Sequence, residues 1–386
     1  MQPVRVQYQK NKFNLVPMNQ HTQKKSSSKL SLDTGKQVEW PKHLRTPAEL
    51  VQALGNKTKL NIIRSPLYSK LVLQFIGSLA YILVHVLNKS RVYNIEVFNE
   101  ELRRLEKRNQ AQSCSRSVDD DDEETGQLCQ NTNAGDSNQL IKGPQAHKLA
   151  PLITLSNHIS CIDDPVLWGN LLPFNYYFTQ TEDVRWVGAA VDICFSRPWH
   201  STFFSLGKTF PIVRGAGLNQ PAMQYAWALL KHNQWLHLFP EGRVMRDDNQ
   251  QVISNKDRGY NFKWGISKLI LDYFKSSQIA GAACDEHSGV IRILPLYHLG
   301  MDKVLPIGRP YIPRFNKNIL IYIRPSVIEM NSRLLASILK DQTLSVKAQK
   351  SRTDDEISRI KLTNYLEQEM EKLIEPATRL HQETNN

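Results

Sequence analysis

Cysteine is scarce in this chain and poorly placed for building structure. Cys114, Cys129, Cys161, Cys194 and Cys284 are scattered, odd in number and without a C-x-x-C pair, which argues against a disulfide framework and a structural zinc site. Acid is missing before Asp33, whereas Arg5, Lys10, Lys12, Lys24, Lys25 and Lys29 are all basic. Organelle-targeting segments share that acid-poor bias. This one is Lys-rich rather than Arg-rich and has no amphipathic period, so residues 1–60 read as solvated, disordered chain. No apolar run of a secretory signal lies near Met1. Clustered Arg and Lys with interleaved aromatics are lacking too, and no nucleic-acid motif occurs, so no nucleic acid partner is expected. The net charge of +12, from 49 Lys and Arg against 37 Asp and Glu, points instead to phosphate esters or acidic lipid headgroups.

Long uncharged runs are equally few. Only 71–88 (LVLQFIGSLAYILVHVLN) qualifies, and at about 1.5 Å per residue it reaches roughly 27 Å, barely the thickness of a hydrocarbon layer. Gln74, Gly77, Ser78, His85 and Asn88 weaken it as a span, and Lys70 and Lys89 bracket it without giving an orientation. The expectation is a membrane-embedded helix or re-entrant hairpin that does not cross; a true span and a buried core helix are the alternatives. Further on, the acid run Asp119 to Glu124 sits in an apolar-poor stretch that reads as a disordered insertion.

From Leu152 the pattern changes to short apolar runs alternating with helical segments. Strands are predicted at 152–156, 186–190, 209–213, 235–239, 291–296 and 319–323, and helices at 165–172, 199–206, 221–231 and 264–274. Such alternation predicts an α/β fold with a central, mostly parallel sheet flanked by helices. Near the C-terminus Thr353 to Glu356 forms a capping-box pattern before an apolar stripe that packs on the core, with Pro376 marking its end. The chain thus divides into a basic extension 1–60, a membrane-associated segment and connector 61–109, an acidic low-complexity insertion 110–148, an α/β block 149–330 and a helical region 331–386.

The block from Leu155 to Pro165 (LSNHISCIDDP) carries the clearest chemistry. A histidine and an aspartate five residues apart can make a general base and its orienter without a nucleophilic side chain. On one continuous helix His158 and Asp163 would lie about 140° apart, so a turn must separate them. Ser160 or Asp164 would cap the following helix, with Pro165 in its first turn. Read alone, the pair also fits an acid at a helix start beside an ordinary loop histidine. Three further strand ends carry candidates. Glu241, Gly242 and Arg243 follow the run ending at Phe239, where Gly242 lets backbone approach a ligand and Arg243 can grip phosphate. Arg214 and Gly215 follow the run 209–213, and Pro295 lies inside the run leading to His298, which suits a sheet edge or an acyl-lined groove.

In this order and at these spacings the four blocks resemble those of the glycerolipid acyltransferase superfamily: an N-H-x4-D block, a block ending in Arg, an F-P-E-G block and a proline-bearing strand. The resemblance covers roughly Leu152 to Ser326 and makes 149–330 the acyltransferase domain. Additional stretches, Val191 to Phe195, His200 to Lys208, Phe262 to Ile266 and Leu294 to Met301, resemble the mitochondrial branch of that superfamily that moves acyl chains between phospholipids and lysophospholipids and remodels cardiolipin. The basic extension and the acidic insertion depart from that pattern. The resemblance implies that His158 deprotonates a glycerol hydroxyl and Asp163 orients it. Arg214, Glu241, Gly242 and Arg243 would hold the glycerophosphate, with no coenzyme A, cofactor or metal. It implies a phospholipid membrane carrying cardiolipin and lysophospholipids as partner, at mitochondrial membranes facing the intermembrane space. The oligomeric state stays open, a homo-oligomer included. An acyl-CoA-dependent lysophospholipid acyltransferase and a catalytically silent membrane-binding protein are the competing functions, and a nucleophilic route through Cys161 or Ser160 is the competing mechanism.

Overall fold

The computed structural model describes residues 29–31, 37–56, 61–114, 150–244, 262–279, 289–306, 312–341 and 352–384. The basic residues before Lys29 and the acid run Asp119 to Glu124 lie outside the described residues. A short antiparallel pair, β1 (Lys29–Ser31) and β2 (Gln37–Glu39), stands apart from the main sheet. That sheet comprises β3 (Lys89–Tyr93), β4 (Leu152–Ser156), β5 (Trp186–Ala190), β6 (Thr209–Ile212), β7 (Leu236–Leu238), β8 (Ile291–Leu299), β9 (Asn318–Ile323) and β10 (Ile328–Met330). Its order is β3-β9-β8-β4-β7-β5-β6, with β10 also paired to β8. Only the pairings of β8 with β9 and with β10 are antiparallel; the others named run parallel. The mostly parallel sheet expected from the sequence is therefore present.

Helices cover both faces, as a parallel sheet without polar alternation requires. In chain order the first of them are α1 (Pro47–Gly55), α2 (Pro66–His85), α3 (Ile95–Cys114), α4 (Asp163–Leu171), α5 (Tyr176–Thr179), α6 (Val191–Cys194), α7 (Pro198–Leu206) and α8 (Pro221–Lys231). Ile153 and Leu155 point into one core layer with α8, the Gly265–Ile279 helix and the C-terminal helices. Leu152, Leu294 and Leu296 face the opposite layer, built from α2, α3 and α4.

Four expectations need correction. The extension 1–60 is not wholly structureless: Thr46 and Glu49 form both halves of a capping box, Pro47 opens α1, and Leu50 is buried in the core. Helix α3 runs through Cys114, past the expected start of the insertion. Pro295 lies in the central strand β8, not at an edge. Its missing N–H falls opposite the gap between the end of β9 at Ile323 and the start of β10 at Ile328, where no ladder bond is needed. Pro376 opens rather than ends a helix, because it sits in the first turn of Ile374–Glu383.

The uncharged run forms α2, long and apolar enough to cross a membrane by length and composition. Ser69, Leu73, Gly77, Ala80 and Val84 recur at three- and four-residue spacing and are buried, against α4, α5 and α7. On the other side Leu67, Leu71, Phe75, Leu79, Ile82 and Val86 are exposed. The chain on both flanks of α2 belongs to the same folded body. Before it, Trp40, Leu44, Leu50 and Ile63 join the core around Tyr225. After it, β3 enters the sheet beside β9.

A buried polar pin ties β4 to β7. Thr154 Oγ1 lies 2.9 Å from His237 Nδ1, Ser156 Oγ 3.3 Å from His237 Nε2, and Trp235 Nε1 donates to Thr154 Oγ1 at 2.9 Å. Burial above all holds His237 neutral, well below the usual 6.5. Its folded pKa is depressed, so its contribution to stability is complete above about 6.5 and is lost as pH falls below that value, where only the unfolded chain takes up the proton. The melting temperature should fall between about pH 7 and about pH 5, and His237→Gln should flatten that slope. Identical slopes for the two proteins would show that His237 does not stay neutral.

Candidate active site

Parallel strands β4, β7, β5 and β6 end on one edge of the sheet, and that edge collects the predicted residues. Two residues past β4, His158 leaves the sheet; the chain turns through Ser160 to Ile162, and Asp163 opens α4. The turn required by the spacing is present. Asp163 Oδ2 accepts three hydrogen bonds: from His158 Nδ1 at 2.9 Å, from the Ile159 N–H at 2.6 Å and from the Ser160 N–H at 2.8 Å. Asp163 is fully buried, whereas the His158 side chain keeps 21% exposure. Phe239 stacks on the imidazole, centroids 4.3 Å apart and planes at 25°. With Nδ1–H given to the carboxylate, the lone pair of the neutral ring is on Nε2, which bonds to no described residue. That nitrogen can take a proton, and the imidazolium so formed lies against Asp163.

The helix start is not capped as expected. Ile162 occupies the cap position without a side-chain bond. Ser160 Oγ is buried and donates to the Leu305 carbonyl at 3.0 Å. Asp164 instead pairs with Arg185 and accepts from Trp168 Nε1 at 2.8 Å. The hydroxyl thus ties the loop to the stretch after β8, and the carboxylate ties the first turn of α4 to Arg185. The same bond removes Ser160 as a nucleophile. Burial pushes the Cys194 thiol up to about 12, far from a reactive thiolate; Cys161 is exposed.

Glu241 sits beneath His158 rather than open to a ligand. It is 2% exposed, and Oε2 accepts the His158 N–H at 3.0 Å. Gly242 follows at φ +72, in the left-handed region that favours glycine. Arg243 is exposed and bonds to no described residue. Arg214 is also exposed, 45% at its side chain, in a pair of 3.3 Å with Asp192, which follows β5. The structure therefore brings His158, Asp163 and Glu241 into one bonded unit. Arg214 and Arg243 stand on the same edge as surface cations outside that unit. Asn157, Arg185 and His298 also hold the loop, although the sequence pattern alone assigns them no part; Asn157 inside the first block and His298 at the end of the fourth are the visible signals. Among the described residues no group of three or more His, Cys, Asp and Glu side chains could hold a metal ion.

A histidine gripped by a buried carboxylate at the carboxyl edge of the sheet, its Nε2 bonded to no described residue, has the geometry for direct acyl transfer onto an acceptor hydroxyl. The comparisons agree with that class. The family model described as Acyltransferase matches residues 140–296. The Dictyostelium discoideum protein named Taffazin is 32% identical over 246 residues, covering 63% of this chain and 77% of that protein. Drosophila melanogaster Tafazzin is 35% identical over 204 residues, 53% of this chain and 47% of its own length. The Arabidopsis thaliana N-acylphosphatidylethanolamine synthase is 36% identical over 203 residues, 51% and 63% respectively; the chain spans less than two thirds of these last two. The chain belongs to the tafazzin family of the glycerolipid acyltransferase superfamily. It is a phospholipid acyltransferase, and the reading as a silent membrane-binding protein falls.

Removing the base should separate chemistry from folding. His158→Ala should cost at least about 10²-fold in turnover, the usual scale of general-base catalysis, with the melting curve retained. Asp163→Asn should keep the loop but lose most of the rate. Near-wild-type turnover in His158→Ala would refute the role of the ring.

Proposed function

We propose that the chain is a coenzyme A-independent phospholipid–lysophospholipid transacylase that remodels the acyl chains of cardiolipin, at mitochondrial membranes facing the intermembrane space. The observation that carries the reading is the Nε2 lone pair of His158, set opposite the grip of a buried Asp163 on Nδ1. An acceptor hydroxyl on the lysophospholipid gives its proton to Nε2 as its oxygen attacks the donor's ester carbonyl. The tetrahedral intermediate then collapses, the donor's glycerol oxygen leaves, and Nε2–H returns the proton to it. One ester bond forms, one breaks, and no acyl group passes through the protein. The imidazolium of the middle step is stabilised by Asp163, and Glu241 keeps the His158 main chain in place.

Arg214 and Arg243 are the phosphate ligands in this reading, with the Gly242 turn giving backbone access. An exposed pair such as Arg214 with Asp192 is worth at most about 1 kcal/mol, so a phosphate can replace the carboxylate at little cost. Two separate exposed guanidinium groups suit a headgroup with two phosphates. The assay that tests the function uses purified protein, labelled phosphatidylcholine and monolysocardiolipin, with and without coenzyme A. Transfer without coenzyme A is expected. Transfer only from an acyl-CoA donor would replace this reading with the acyl-CoA-dependent one. Acylation of the phosphatidylethanolamine amine instead would move the chain toward the activity named for its Arabidopsis relative.

The phospholipid surface is met by α2. Its exposed stripe is continued by Phe174, whose ring lies tilted against Tyr81 with centroids 5.0 Å apart, and by Trp199 on α7, which packs beside α2. Since both flanks of α2 join one folded body, the helix lies in the plane of the membrane surface instead of crossing it. Leu71→Glu with Phe75→Glu should release the protein from anionic vesicles while leaving its melting temperature nearly unchanged. Reporters placed before Lys70 and after Lys89 should be reached by protease from the same side of intact vesicles; opposite sides would establish a span.

A further inference from the structure

The loop that carries the base is fastened from behind by a stretch that the reaction does not touch. There β8 ends in His298 and Leu299, Gly300 turns at φ +86, and Met301–Val304 makes one helical turn. The Asn157 side chain bonds the main chain of His298 in both directions: Nδ2 donates to the carbonyl at 2.9 Å, and Oδ1 accepts the N–H at 2.9 Å. The His298 ring returns a third bond, with Nε2 2.7 Å from the Asn157 carbonyl oxygen. A carbonyl only accepts, so Nε2 carries the proton. The same nitrogen lies 3.8 Å from Asp163 Oδ2, the atom that grips His158. Ser160, on the other side of His158, is tied to Leu305 at the end of the same stretch.

We propose that His298 is a positioning residue for acyl transfer: its Nε2–H holds the Asn157 carbonyl and thereby sets the path on which His158 reaches Asp163, without touching substrate. The inference rests on His158 being the base, not on the identity of the acyl donor. The ring is fully buried and its Nδ1 bonds to no described residue, so the single bond from Nε2–H to the Asn157 carbonyl is what the imidazole contributes there. Burial keeps it neutral, below the usual 6.5, which preserves the single proton on Nε2. Gly300 makes the arrangement possible. A Cβ at that position would lie 2.0 Å from the Asn318 carbonyl oxygen, so no other residue lets β8 turn there without moving β9.

The test is a substitution series read by kcat, KM and melting temperature on the full chain. His298→Leu should lower kcat by about 10²-fold, the cost of displacing a reacting group by about an ångström, with KM and melting temperature close to wild type. His298→Gln places an amide N–H where Nε2 stood and should recover most of the rate. His298→Asn is too short to reach the Asn157 carbonyl and should recover none. Equal kcat per folded molecule in His298→Leu, or no advantage of Gln over Asn, would overturn the proposal. Should His298→Leu fail to fold, the Gln and Asn pair decides alone. Wild-type turnover is measured first with both donors. Its absence with a phospholipid donor sinks only the transacylase reading, and the series then runs with acyl-CoA.

Discussion

One oxygen atom organises the site. Asp163 Oδ2 draws in the imidazole of His158 and two successive main-chain N–H groups, so a single acceptor closes the loop and orients the imidazole together. The arrangement is local in sequence, yet it works only because both ends of the loop are anchored. β4 delivers Asn157 from a strand buried at every residue, and α4 departs from Asp163 with Asp164 braced by Arg185. A carboxylate buried to this degree needs several donors in place, and the loop supplies them from its own backbone.

The surrounding sheet explains why the unit is stiff. β4 is central, flanked by β7 and β8, and each neighbour sends one residue to the loop. Glu241 arrives from the turn after β7 and takes the His158 N–H; His298 arrives from the end of β8 and takes the Asn157 carbonyl. Both are buried charged or polar residues whose partners lie far away in sequence, so each bond fixes the loop against a distant part of the chain. The loop is held by hydrogen bonds from two sides, while Phe239 covers a face of the imidazole.

Much of this is legible in the amino-acid sequence. Apolar runs locate β4 to β9 with shifts of a few residues, because strands buried on both faces need no polar alternation to be seen. The pairing of His158 with Asp163 is allowed by their spacing if a turn separates them, and it is the set of four blocks in order that singles it out. What escapes is whatever depends on contacts across the chain. Glu241 reads as a headgroup ligand because its partner, the His158 main chain, is 83 residues away. His298 reads as part of a strand end for the same reason. Pro295 reads as an edge residue because the break between β9 and β10 that accommodates it is a fact of tertiary pairing. Helix α1 escapes on different grounds: its capping box is written in Thr46 and Glu49, but the polar composition around it outweighs a short local signal.

The packing of α2 along α4 has a consequence for how the molecule measures distance. Helix α4 begins at Asp163, and α2 offers its apolar stripe on the side turned away from that contact. Base and stripe are therefore parts of one rigid body, with no tether between them. Whatever surface accepts Leu71, Phe75 and Leu79 also sets the height of His158 Nε2 above it. The fold acts as a depth gauge, holding the His158 imidazole at one fixed offset from the stripe.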